Sequence, residues 1–165
     1  MAVWRRKQML EVGEKAAPFQ VPGIDGELIS LEQLRAESPV LLVFFKADCP
    51  VCQLTWPFLE RIHQSAAPGK LRVVGISQNG PRDTASFAAE FGSTFLMLVD
   101  PAKSGYQASN AFGVSVVPSL FLVERDGAIS WTSSGFCKQE LEDLGNRFGV
   151  EVFRQEENVP AWRAG

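Results

Sequence analysis

The chain has 165 residues, 45% of them hydrophobic and 21% charged, with a formal net charge of −3. These values describe a folded globular chain long enough for one sizeable core, and they exclude a disordered one. The acidic balance leaves no basic field for nucleic acid, and Arg5-Arg6-Lys7 is too short to supply one.

Phe19-Gln20-Val21 reads as a short strand, Pro22 to Gly26 as a turn, and Glu27 to Ser30 as the returning strand. Ser30 caps a helix expected over Leu31 to Ala36, with Glu32 in the first turn, where the helix dipole favours an acid. Val40 to Phe45 is a continuous apolar run, the signature of a strand buried on both faces. A helix is expected from Pro50 to about Gln64. Leu54, Phe58 and Ile62 form one apolar stripe on it, and Cys52, Trp56 and Leu59 form its neighbour.

Leu71 to Ile76 is the next strand. Asp83 opens a helix that runs to Phe91 and is ended by Gly92. Phe95 to Val99 reads as a strand and about Ala102 to Phe112 as a helix. Ser119 to Val123 and Ala128 to Thr132 flank Asp126-Gly127, a hairpin signal. The last helix runs from about Lys138 to Phe148. Helix-separated buried strands followed by a hairpin predict an α/β fold, a central mixed sheet with helices on both faces. One domain is expected over residues 1–165, with its core at about 11–148 and a C-terminal tail at 149–165. From Glu151 the tail has no clear periodicity. Val159, Pro160 and Trp162 are candidates to dock it on the surface, and a mobile tail is the alternative.

Cys49 and Cys52 flank Pro50-Val51 where the buried strand gives way to a helix. Two sulfurs three residues apart on a first helical turn are close enough to bridge. N–H groups at a helix start favour the thiolate, the form that attacks disulfides. Three cysteines are too few for a disulfide scaffold. A zinc site would want four ligands, and only Cys137 and His63 remain to complete one. The pair therefore reads as redox-active, with no metal. No flavin or nicotinamide site is evident, so no bound cofactor is expected and reducing equivalents must arrive in trans.

The other features carry less chemistry. Gln78 to Arg82 lacks the Gly-rich repeat and Lys-Ser/Thr of a phosphate cradle. His63 lies about three turns beyond Cys52, too far to activate the sulfur. Cys137 reads as a small, partly buried residue at the start of the last helix, the alternative being a third redox or dimer-forming thiol. Trp4 and Trp162 are candidates to cover each other or an apolar surface. No stretch is long and apolar enough to span a membrane. Met1 to Glu14 has basic residues but no following apolar run, unlike a signal peptide. A cytoplasmic location is expected of a chain that starts here, and an exported one if a leader has been trimmed.

Four segments together resemble the thioredoxin superfamily, most closely its TlpA-like and redoxin-type thiol–disulfide oxidoreductases. They are Val12 to Phe19, the stretch Phe44 to Cys52, Pro57 five residues after Cys52, and Gly113 to Leu122 around Pro118. The helix and strand between Asp83 and Asp100 also fit the TlpA-like layout. The resemblance implies a thioredoxin-like three-layer sandwich with an N-terminal β-hairpin extension and an inserted α-β unit. It implies that Cys49 attacks and Cys52 resolves. Phe45, Asp48, Pro50, Val51 and Pro57 would support that site. Val117-Pro118 would be cis, and the Val117 backbone would pair with an extended substrate. The partners implied are a disulfide-containing protein or small molecule and an external electron donor such as a thiol reductase system.

Two departures stand out. Thioredoxins themselves carry a buried aspartate six residues before the first cysteine, where this chain has Val43. Asp48 and Lys46 are the nearby alternatives as proton acceptors, yet a carboxylate beside a thiol disfavours its ionisation. Pro50-Val51 also differs from the Gly-Pro of thioredoxin, which leaves the direction of electron flow open. A reductase is expected, because the cytoplasm keeps thiols reduced. Two other functions compete with it. One is a peroxiredoxin-like peroxidase with Cys52 as nucleophile, against which Cys49 stands where that family has threonine or serine. The other is a non-catalytic thioredoxin-fold binding module.

Overall fold

The computed structural model describes residues 7–165. Trp4, Arg5 and Arg6 lie outside that range. The chain begins with an antiparallel hairpin, β1 (Gln20–Pro22) and β2 (Leu28–Ser30), followed by α1 (Leu31–Leu34). Ser30 caps α1 reciprocally: its hydroxyl accepts from Gln33 N–H while the Gln33 side chain accepts from Ser30 N–H. β3 (Val40–Phe45), β4 (Arg72–Ser77) and β5 (Leu96–Val99) run parallel, while β6 (Ser119–Val123) and β7 (Ile129–Ser134) complete the sheet antiparallel. The strand order is β5-β4-β3-β6-β7.

β3 takes the centre because none of its six side chains can face water. Side chains alternate along a strand, so this one run seeds two cores. Val40, Leu42 and Phe44 face Phe19, Val21, Leu31, Phe112 and Phe121. Leu41, Val43 and Phe45 face Trp56, Leu59 and Ile62 of α2 (Pro50–Ser65), Phe87 of α3 (Pro81–Glu90) and Leu141 and Leu144 of α5 (Lys138–Arg147). Helices thus cover both faces, as the resemblance implies, and α3 with β5 is the inserted unit.

Two departures from the sequence reading have local causes. α3 starts at Pro81 rather than Asp83, since proline at the first helical position gives up no hydrogen bond and its φ is already helical. The helix expected over residues 102–112 is broken into a 3-10 turn, Ala102–Ser104, and α4 (Gln107–Ala111). Gly105 and Tyr106 break it with φ of 78° and 49°. The buried Asp100 carboxylate then satisfies the start of α4, accepting from Ala108 N–H at 3.1 Å and from Ser109 N–H at 2.7 Å.

Of the two courses the sequence leaves open for the tail, it takes the docked one. Val152 and Phe153 are buried, and the Phe153 ring lies 4.5 Å from that of Phe58. Val159 packs on the same cluster. The Arg61 guanidinium holds Glu157 through two bonds of 2.7 and 2.9 Å. A two-residue ladder then pairs β8 (Phe136–Cys137) with β9 (Trp162–Arg163).

Candidate active site

β3 delivers the chain to Lys46, where the apolar run stops, and α2 begins at Pro50. Cys49 is the N-cap of α2. Its sulfur accepts the Cys52 N–H at 3.1 Å and lies 3.5 Å from Val117 O, to which the thiol donates. This is the helix-start position in which an N–H and the helix dipole favour negative charge on sulfur. Cys49 is half-buried, whereas Cys52 is fully buried on the apolar stripe with Trp56 and Leu59. Burial pushes the Cys52 thiol well above its ordinary value of 9.0, and its contact with the Cys49 sulfur pushes the same way. Both are free thiols.

Each other candidate has a definite place. Phe45 is buried beneath the loop with its ring 4.3 Å from Trp56. Pro50 and Val51 form the first turn of α2, and Asp48 is exposed just ahead of it. Pro57 sits inside α2, where it removes one helical donor. The Val117-Pro118 bond is cis, and Val117 is half-buried against the cysteine loop. Val43 is fully buried, so the place of the missing aspartate is apolar. His63 meets the edge of Phe95 at 5.6 Å, away from the sulfurs. Cys137 caps α5 without a side-chain bond and pairs with Trp162.

Two residues that the sequence reading passed over hold the cysteine loop. Asn79 Oδ1 accepts Ala47 N–H at 2.8 Å, and Gln53 Nε2 donates to Ala47 O at 2.9 Å. Ala47 is thus clamped on both its backbone groups, two residues before the sulfur. No periodicity or motif marks Asn79, which reaches the loop only because β4 runs parallel to β3. Beside the loop lies an open cleft of about 340 Å³, lined by Ala47, Asp48, Asn79, Asp83, Phe87 and Glu90 among others. Its three carboxylates make it an acidic flank to the cysteines. Among the described residues, no three His, Cys, Asp or Glu side chains converge as a metal site, and no helix is long and apolar enough to cross a membrane.

Comparison with known proteins agrees with this geometry. The thiol-disulfide oxidoreductase ResA of Halalkalibacterium halodurans is 24% identical over 136 residues, covering 82% of this chain and 75% of that one. A Mycobacterium tuberculosis protein (strain ATCC 25618 / H37Rv) with a provisional peroxiredoxin name is 32% identical over 130 residues, covering 73% of this chain and 82% of its own. The thioredoxin domain of a thiol-disulfide oxidoreductase from Bacteroides vulgatus superposes with a TM-score of 0.74 at 18% identity, covering 84% and 98% of the two chains. That structure and its like give the fold its thioredoxin-like character. The AhpC/TSA family model matches residues 12–132, from the segment before β1 into β7 with the whole cysteine loop inside it; the chain belongs to the AhpC/TSA family.

Proposed function

We propose that the protein is a thiol–disulfide oxidoreductase working through Cys49 and Cys52, and that it acts as a reductase. The observation that carries this is the asymmetry of the pair: one sulfur half-exposed at a helix N-cap, the other buried one turn further in. The Cys49 thiolate attacks one sulfur of a substrate disulfide. A new S–S bond forms, and the leaving sulfur takes up a proton. Cys52 gives up its proton and attacks the Cys49 sulfur, releasing the second substrate thiol. Two electrons and two protons pass to the substrate, and the Cys49–Cys52 disulfide awaits an external thiol donor. Val117 flanks the nucleophile with its carbonyl. Phe45, Pro50, Val51 and Pro57 shape the turn that holds the pair, and Asp48 borders its mouth.

The partner is a disulfide-bearing protein or small molecule, and a cytoplasmic setting matches the reducing direction. The test is the potential of the pair, measured in graded thiol buffers by alkylation with a mass tag. A value near or below about −250 mV supports reduction, and one of roughly −120 to −180 mV marks an oxidant. Cys52→Ser traps a mixed disulfide on Cys49, whereas Cys49→Ser forms none. A trap on Cys52 instead overturns the assignment.

The 32% identity to the mycobacterial protein with its provisional peroxiredoxin name favours peroxide reduction as the second reading. On that reading the nucleophile is Cys52, yet that sulfur is fully buried and held as a thiol. Burial of this kind keeps a peroxide away from the sulfur and disfavours its thiolate, whereas Cys49 one turn away is still within reach of it. Peroxide consumption that survives Cys49→Ser but not Cys52→Ser would restore that reading.

A further inference from the structure

The C-terminal segment does more than cover the core. β9 lies antiparallel to β8, with Phe136 opposite Arg163 and Cys137 opposite Trp162. Lys138 N–H also donates to Ala161 O at 3.0 Å. The chain then crosses Gly135, which is in the left-handed region at φ 69°. A Cβ there would lie 2.4 Å from Arg163 O and 2.9 Å from Gly165 N, so glycine is what lets the segment come down this far. Beyond it, Gly165 rests on Val117: a Cβ on Gly165 would lie 2.7 Å from Val117 O and 3.4 Å from Val116 Cβ.

Val117 O is the same atom that accepts the Cys49 thiol. Among the described residues no backbone N–H pairs with it. A polypeptide that brings a disulfide to Cys49 must pass over this backbone, and free main-chain groups beside a strand end are what an extended chain pairs with. The segment already lying there has small residues, Ala164 and Gly165, where it meets Val117. Its hold is slight. The ladder is two residues long, and Trp162 is 58% exposed. Elements with few buried contacts open at low cost.

We propose that Trp162–Gly165 is a resident competitor for the substrate strand, occupying the Val117–Gly135 surface so that a polypeptide substrate reaches Cys49 by displacing it. This rests on the reading of Cys49 as nucleophile. The partner it implies is an extended polypeptide with small residues beside its cystine. A small disulfide, which needs no strand, is indifferent to the segment.

The test compares the 165-residue chain with Gly165→Val and with a chain shortened by residues 161–165. Gly165→Val sets a side chain against the Val117 carbonyl and lifts the segment without touching the core. Each protein reduces insulin or glutathione disulfide, becomes the Cys49–Cys52 disulfide, and is returned to the dithiol by dithiothreitol. The expected result is a rise in kcat/KM of at least fivefold on insulin for both altered chains, with glutathione disulfide changed by less than twofold. Unchanged or lower insulin rates overturn the proposal, as does an equal rise on both substrates. If none of the three proteins reduces either disulfide, the Cys49 reading falls and this inference falls with it. Equal activity in all three removes the competitor alone.

Discussion

Raising the pH should destabilise the dithiol form through Cys52. The folded protein keeps this thiol buried and neutral, while the unfolded chain ionises it from its ordinary value of 9.0 upward. Above that pH the unfolded state binds fewer protons than the folded one, so stability falls as pH rises; below it the contribution is fully present. With the folded thiol still protonated throughout, linkage costs about 1.4 kcal/mol at pH 10 and about 2.7 kcal/mol at pH 11. Other groups titrate there too, so the measurement is a difference. Urea unfolding of the reduced protein and of Cys52→Ala, each from pH 8 to 11, isolates the one thiol. The stability margin of the parent over the variant should shrink by those amounts. A margin flat through pH 11 would mean that Cys52 ionises alike in both states, and the burial argument would fail. A margin that widens would mean the site stabilises the thiolate. The same burial bears on turnover, because Cys52 must lose a proton before it can resolve the mixed disulfide.

Three further outcomes follow from particular contacts. Asn79→Ala leaves the part-buried Ala47 N–H without an acceptor, which costs about 1–3 kcal/mol. Chemical denaturation should show that loss, and stopped-flow kinetics should show slower Cys49 exchange; unchanged exchange would mean that the clamp does not position the loop. A Cβ on Gly75 would lie 2.6 Å from Met97 Sδ and 3.1 Å from the Phe45 ring, under Trp56. Gly75→Ala therefore overpacks the core beneath the cysteines by about 1–3 kcal/mol, readable as a lower urea midpoint. Glu157 is held down to about 2 by the hydrogen bond from Arg61 and by the Arg154 N–H. That stabilisation is present above pH 4.5 and is lost as the pH falls toward 2. The protection factor of the Arg154 amide, its exchange rate set against the intrinsic rate at each pH, should fall over that window in the parent and be already low in Glu157→Gln.

The redox pair, the order of helices and strands and the mixed sheet were legible because each depends on a local pattern. Val40 to Phe45 admits no solvent-facing side, and Cys49 and Cys52 are bound to share the first turn of whichever helix follows. The neighbouring stripe of Cys52, Trp56 and Leu59 already marked the second sulfur as the buried one. The break at Gly105 and Tyr106 was not legible, since it depends on the Asp100 carboxylate capping α4 from outside. Asn79, the acidic cleft and the path of the tail over Gly135 were hidden for a related reason. They are meetings of chain segments far apart in sequence, and no periodicity records which loop a parallel strand will bring beside another. Residues 149–165 have no pattern of their own, because their fold is set by the surface that receives them. Local chemistry in the amino-acid order determined the reaction centre; only the tertiary structure decided what clamps it and what lies across its mouth, because those contacts exist only once the sheet has closed.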